Sequence, residues 1–146
     1  MAKLSQYIEE KAWGNLAHES LEYYVDNSVH IEHILPQTPL GDSQSTFEFP
    51  EEYANYAQRL GNLTLLEKTI NTSLSNGHFD SKKAGYKQSS FLLTKSIAEV
   101  PRVGEHTQLN QAVQGLASYD KWGSDSIEAR QTMLTGIARK VWGLDL

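Results

Sequence analysis

Near the start of the chain, Leu4, Ile8 and Lys11/Ala12 recur at spacings of three and four and line one face of a helix over residues 4–13. Residues 19–25 predict a second, shorter helix. At 29–35 the period changes: Val29, Ile31, Ile34 and Leu35 form an apolar, largely β-branched run that holds His30, Glu32 and His33. That is the composition of a strand, and Pro36 ends it because proline has no N–H to give a ladder. Residues 37–50, with Pro39, Gly41, Asp42 and several Ser and Thr, predict a long loop. Loops of that length are seldom idle. Pro50 suits the first position of a helix running to about Gln58. Gly61 and Asn62 then turn the chain into a second short strand at 63–66. Thr69 is placed to cap a helix that reaches Leu74 and stops at Asn76-Gly77. Asp80 or Ser81 is placed to cap the next, which carries Lys82, Lys83, Tyr86 and Lys87. Further on, Asp125 and Glu128 have the spacing of a capping box. Ile127, Gln131, Leu134, Ile137/Ala138 and Val141 trace one face of a long C-terminal helix. The pattern is α+β and mostly helical, with strand, loop, strand and helix at its centre.

At 146 residues the chain suits one domain with a real core. It enters its first helix with almost no lead-in, so a piece of a longer protein is expected, with Met1 an added start. No apolar run approaches the roughly 20 residues that span a bilayer, and no basic segment precedes an apolar one at the N-terminus. No membrane partner and a cytoplasmic location are therefore expected. The chain has no cysteine. Thiolate zinc sites and disulfides are excluded, so a metal must be held by oxygen or imidazole nitrogen, which favours a hard ion such as magnesium.

Thirteen basic against eighteen acidic residues give a net charge of −5, which disfavours nucleic acid. The distribution changes that picture. Residues 1–58 carry −8, whereas residues 59–95 carry +4 through Arg59, Lys68, Lys82, Lys83, Lys87 and Lys95. A local basic face engages phosphates even on an acidic domain, although a lysine cluster by itself more often marks a solvated helix face.

The polar residues inside the central elements are more specific. IEHILPQ (31–37), LGNLTLL (60–66), Asn71, Ser75-Asn76, Phe79, Lys82, Tyr86 and Ser89 stand in one order, continued by Trp122, Ile127, Arg130 and Trp142. From about Val29 onward the chain resembles the HNH (His-Me finger) nuclease-like domain at the C-terminus of GmrSD-type, modification-dependent restriction endonucleases. The resemblance implies a small two-stranded ββα-metal core at about 29–89, surrounded by helices that include a C-terminal part at 90–146. Carried over to this sequence, His33 matches the histidine that activates water; an imidazole titrates near neutral pH, so a proton-accepting ring is available. Asn62 matches the middle asparagine, which braces the loop behind that histidine. Asn71 matches the third position, where its amide oxygen would ligate the metal. Glu32 stands where many relatives carry a metal-binding aspartate, but strand alternation points residues 32 and 33 to opposite faces. Lys82 matches a basic position suited to a substrate phosphate, with Lys83 and Lys87 adding backbone contacts.

The implied function is a metal-dependent DNA endonuclease, using magnesium, manganese or another divalent ion, in restriction of modified or foreign DNA. Its implied partners are DNA and an N-terminal, NTP-using sensor module in the same or an associated chain. The alternative is an inactive HNH-like module that docks DNA or protein; the departure at Glu32 and the acidic first third support it. Other residues read more simply. Taken alone, His33 would be a strand-end histidine with a satisfied hydrogen bond. His30 could help position the site but is expected to be structural or to have no role, and His18, His78 and His106 are expected to be solvent-exposed. Asn76 belongs to a turn or sits near the metal. Trp122 and Trp142 are expected as core anchors, and Arg130 as a phosphate contact or the partner of a buried carboxylate.

Overall fold

The computed structural model describes residues 1–14, 20–105 and 107–144. Helix α1 (Ala2–Trp13) is followed by a 3-10 turn at Leu21–Val25 and strand β1 (Val29–His33). After the long loop, a 3-10 turn at Pro50–Glu52 leads into α2 (Tyr53–Gln58), and another at Leu60–Asn62 leads into strand β2 (Leu63–Glu67). Helices α3 (Lys68–Leu74), α4 (Phe79–Gln88), α5 (Leu92–Ala98), α6 (Gln108–Val113) and α7 (Ser124–Val141) complete the described elements. The architecture is α+β and mostly helical, around one two-stranded sheet. Among the described residues no helix is long and apolar enough to cross a membrane.

The strands are antiparallel, with Val29 opposite Glu67 and His33 opposite Leu63. Two strands are marginal by themselves in water, so helices must cover them. Ile34, Leu66, Tyr86 and Ile97 form a buried cluster, closed by Ile70 and Leu74 of α3, Phe79 of α4 and Trp122. Leu65 points the other way, to Tyr24 and Phe91. The apolar stripe of α1 packs into a larger cluster in which Leu4, Ile8 and Ala12 meet Leu92, Leu93, Leu109, Val113 and Leu134.

Residues 34–49 contain no helix or strand, as the Pro, Gly and Ser pattern predicts. Aromatic side chains pin this loop. Phe47 packs edge-on against Tyr53 and Tyr56, with ring centroids 5.4 and 5.2 Å apart, beside Ile127 of α7. The Tyr53 hydroxyl donates to Pro36 O at 2.9 Å, tying the loop's first residues to α2.

The turn before β2 lies directly on α7. A Cβ on Gly61 would stand 2.0 Å from Ile127 O and 2.9 Å from Gln131 N, so the glycine is required by close approach. Arg130, wholly buried, braces this turn from below, its Nη1 donating to Gly61 O at 2.9 Å and Leu63 O at 2.7 Å. That corrects the expected phosphate contact or carboxylate pair. Its Nε and Nη2 meet no acceptor among the described residues, and burial lowers the guanidinium to about 10, still charged at neutral pH.

Three expected helix caps are absent. Helices α3, α4 and α7 follow Glu67, His78 and Gly123, and none of these makes a side-chain capping bond. In α7 the helix begins at Ser124, so Asp125 lies inside its first turn, and the Glu128 carboxylate accepts from the Tyr56 hydroxyl and from Arg59. Trp142 is 56% exposed, not a core anchor. Helix α5 is short and mostly buried, so no one-sided stripe announces it in the sequence; α6 does carry a stripe, Leu109, Ala112 and Val113, but spans only six residues.

Replacing Gly61 with alanine forces β2 and α7 apart. A loss of about 1–3 kcal/mol is expected, as for other overpacked sites, read as a lower midpoint in urea denaturation; an unchanged midpoint would mean the turn is free to move.

Candidate active site

Asn62 decides where the chain goes after His33. Ile34 N donates to Asn62 O at 3.0 Å, which carries the ladder one step beyond β1. The side chain of Asn62 is wholly buried; its Oδ1 accepts from Leu35 N at 2.7 Å and from Trp122 Nε1 at 2.9 Å. Its Nδ2 donates to Leu35 O and Ala57 O, both at 2.9 Å. Every lone pair and hydrogen of the amide is used. Asn62 thus holds both backbone groups of Leu35, and with them the turn behind His33.

Neighbouring side chains on a strand point to opposite faces. Glu32 turns inward and is 6% exposed, while His33 is half-buried at the surface. Lys82 rises from α4 beneath the strand, 1% exposed, and donates to Glu32 Oε1 at 2.7 Å, His33 O at 2.9 Å and Ile34 O at 3.3 Å. All three ammonium hydrogens are engaged. The Tyr86 hydroxyl, one turn further along α4, donates to the same Glu32 oxygen at 2.9 Å. Burial, and then the charge of Glu32, push that hydroxyl well above the usual tyrosine range, so it stays protonated as a donor. This arrangement differs from the expected phosphate contact of Lys82, whose ammonium lies inside the fold. It also engages Glu32 Oε1 with the Lys82 ammonium and the Tyr86 hydroxyl, leaving that oxygen without room for a metal ion.

Above this network lies an open cleft of about 380 Å³, bounded by His33 and the start of the long loop on one side and by Asn71, Thr72 and Asn76 on the other. The imidazole of His33 has no hydrogen-bond partner among the described residues, so its ring nitrogens remain available to a ligand. Ile31 stands beside it, 58% exposed. Ser75, at the end of α3, has a φ of 51°, and this left-handed residue turns the chain so that Asn76 follows along the cleft. Asn71 Nδ2 lies 3.3 Å from Nδ1 of His30, a residue expected to be structural or without a role rather than part of the site. His78 is exposed; His18 and His106 lie outside the described residues.

The donor set can be tested against the divalent ion that the sequence implies. Among the described residues no group of three or more His, Asp or Glu gathers to hold a metal. With its Nδ2 turned to His30, Asn71 keeps Oδ1 free at the cleft, a hard neutral oxygen. Magnesium-like ions that retain most of their water are held by one or two carboxylates and by substrate phosphates, and Glu32, which lines the cleft with only Oε1 engaged, is the carboxylate that would join Asn71 there.

The cleft lining contains no Lys or Arg. Lys83 donates to Asp120 O at 2.9 Å over the Phe79 ring, and Lys87 pairs with Glu99 at 3.2 Å in solvent. Lys68, which the sequence counts in the basic segment without singling it out as a DNA contact, is exposed one turn before Asn71 on α3. The spacing of three was its available signal, since it puts both residues on one helix face.

Replacing Lys82 with methionine leaves Glu32 buried without its partner, and a loss of about 3–5 kcal/mol is expected. Combining Lys82→Met with Glu32→Leu should recover part of that loss. Urea denaturation of the single and double variants measures both; equal stability of Lys82→Met and wild type would show that the pair supports nothing.

No curated protein and no solved structure matches this chain. The family model described as the C-terminal domain of GmrSD restriction endonucleases matches residues 2–137. The match runs from α1 through both strands and the cleft into α7. The chain belongs to the GmrSD restriction endonuclease C-terminal domain family.

Proposed function

We propose that this domain is a metal-dependent DNA endonuclease of the HNH type. In this reading residues 1–146 are one domain, with a ββα-metal unit at about 29–89 and a helical part at 90–146. The observation that carries it is the meeting of His33, from the end of β1, and Asn71, from α3, at one open cleft. Asn62 acts behind them as a brace.

The residue types suit phosphodiester hydrolysis. His33 takes a proton from a water molecule as that water's oxygen bonds to phosphorus. The bond from phosphorus to the leaving oxygen breaks, and that oxygen departs with the electron pair and takes a proton from solvent. A magnesium or manganese ion, held by Asn71 Oδ1, would offset the charge on the phosphate and on the leaving oxygen. Glu32 can join it only through Oε2, since Oε1 is engaged by Lys82 and Tyr86. Lys83 and Lys87 on α4, with Lys68 on α3, are the cations placed to meet the DNA backbone. The domain would serve in the cytoplasm as the cutting part of a system that restricts modified or foreign DNA. An N-terminal, NTP-using sensor in the same or an associated chain would direct it. The engagement of Glu32 favours a second reading, an inactive module that docks DNA or protein.

Nicking of supercoiled plasmid with magnesium or manganese separates the two. Cleavage abolished by EDTA and reduced roughly 10²–10⁴-fold in His33→Ala is expected, a range set by the usual effect of a general base, with a comparable loss in Asn71→Ala. Equal activity of His33→Ala and wild type would refute the assignment. For the backbone contacts, the double variant Lys83→Ala/Lys87→Ala should bind DNA with a salt dependence of log K shallower by roughly 1–2, from about 0.9 per phosphate neutralised. An unchanged slope would remove both lysines from the interface.

A further inference from the structure

A carboxamide offers a cation only one of its two ends. The oxygen can ligate, the NH2 group cannot, and the two ends have nearly the same shape. For Asn71 the choice is made from behind. Its Nδ2 faces Nδ1 of His30 at 3.3 Å, from the third residue before His33 on β1. With Nδ2 facing it, Nδ1 of His30 accepts in the Nε2–H tautomer, whereas the Nδ1–H tautomer would donate to Asn71 Oδ1 and favour the reversed amide. No other hydrogen bond involving the Asn71 side chain is present among the described residues. His30 therefore ties the orientation of the amide to its own tautomer, and the Nε2–H form is the one that leaves Asn71 Oδ1 to the cleft. It does not line the cleft, whereas Asn71 does.

We infer that His30 is a positioning residue: by accepting from Asn71 Nδ2 it keeps Asn71 Oδ1 turned to the cleft as the cation's protein ligand. The inference rests on the proposed metal site. It adds that the site needs a hydrogen-bond acceptor behind Asn71. A leucine at position 30 would fill space without accepting, and the amide would divide its time between two orientations. A glutamine would supply an acceptor again through its own Oε1.

The test is manganese binding to the full chain, followed by electron paramagnetic resonance titration, for wild type, His30→Leu, His30→Gln, Asn71→Ala and His30→Leu/Asn71→Ala. Metal-free thermal melts of each serve as the control for folding. His30→Leu should weaken manganese binding roughly two- to tenfold, the range that one neutral hydrogen bond spans, and His30→Gln should restore most of it. In the Asn71→Ala background, His30→Leu should have no further effect, because a residue that acts through Asn71 has nothing left to orient. Equal loss in both backgrounds, or wild-type binding in His30→Leu, would overturn the inference. Should His30→Leu fail to fold, weak binding by a folded His30→Gln would overturn it equally. If Asn71→Ala binds manganese as tightly as wild type, the metal site itself falls and this inference with it. Binding that depends on Asn71 but not on His30 would remove the inference alone.

Discussion

The ammonium of Lys82 is where strand, loop and helix meet. It is buried, and its three hydrogens go to the Glu32 carboxylate and to the carbonyls of His33 and Ile34. A charge taken out of water is tolerated only when its partners are in place, and removing one leaves the other uncompensated. The end of β1 is accordingly bound to α4 by an interaction that is costly to break. Tyr86 closes the same network from the next turn of α4, and its raised hydroxyl keeps it a donor.

Asn62 completes from the other side what Lys82 begins. One side chain holds the carbonyls at and just after His33; the other holds both backbone groups of Leu35. Between them the backbone carrying His33 is bonded on either side, while the imidazole itself is left free. The bonded backbone lies beneath the side chain and leaves the imidazole accessible from the cleft. Behind Asn62 the support runs through Trp122, Gly61 and Arg130 to α7, so the C-terminal helix contributes to the cleft without lining it.

The polar residues of the central segments therefore divide by role more sharply than by spacing. Glu32 and His33 are adjacent and both border the cleft, yet the Glu32 carboxylate is buried and bonded to Lys82 and Tyr86 whereas the His33 imidazole is left free. Lys82, Lys83 and Lys87 share a helix, yet Lys82 points under the strand, Lys83 lies over Phe79 and donates to Asp120 O, and Lys87 stands in solvent. A lysine in a basic stretch looks like a phosphate contact until the register of its helix against the sheet is known. His30 makes the opposite point: it carries no distinguishing neighbour in the sequence, and its contact with Asn71 exists only because α3 folds back over β1.

The sequence by itself determined the elements whose cues are local. The stripe of α1, the two short strands, the turn residues of the long loop and the long face of α7 all follow from periods and breakers that need no partner. The polar segments from IEHILPQ to Asn71 also carried the family, because their order is a property of the chain. Tertiary structure alone decided which polar atoms lose water. Glu128 accepted from Tyr56 and Arg59; Arg130 took two carbonyls in place of a carboxylate; Lys82 went inside. Each outcome depends on which elements pack together, and burial reverses the preference of a charged group from solvent to whatever donor or acceptor lies within reach.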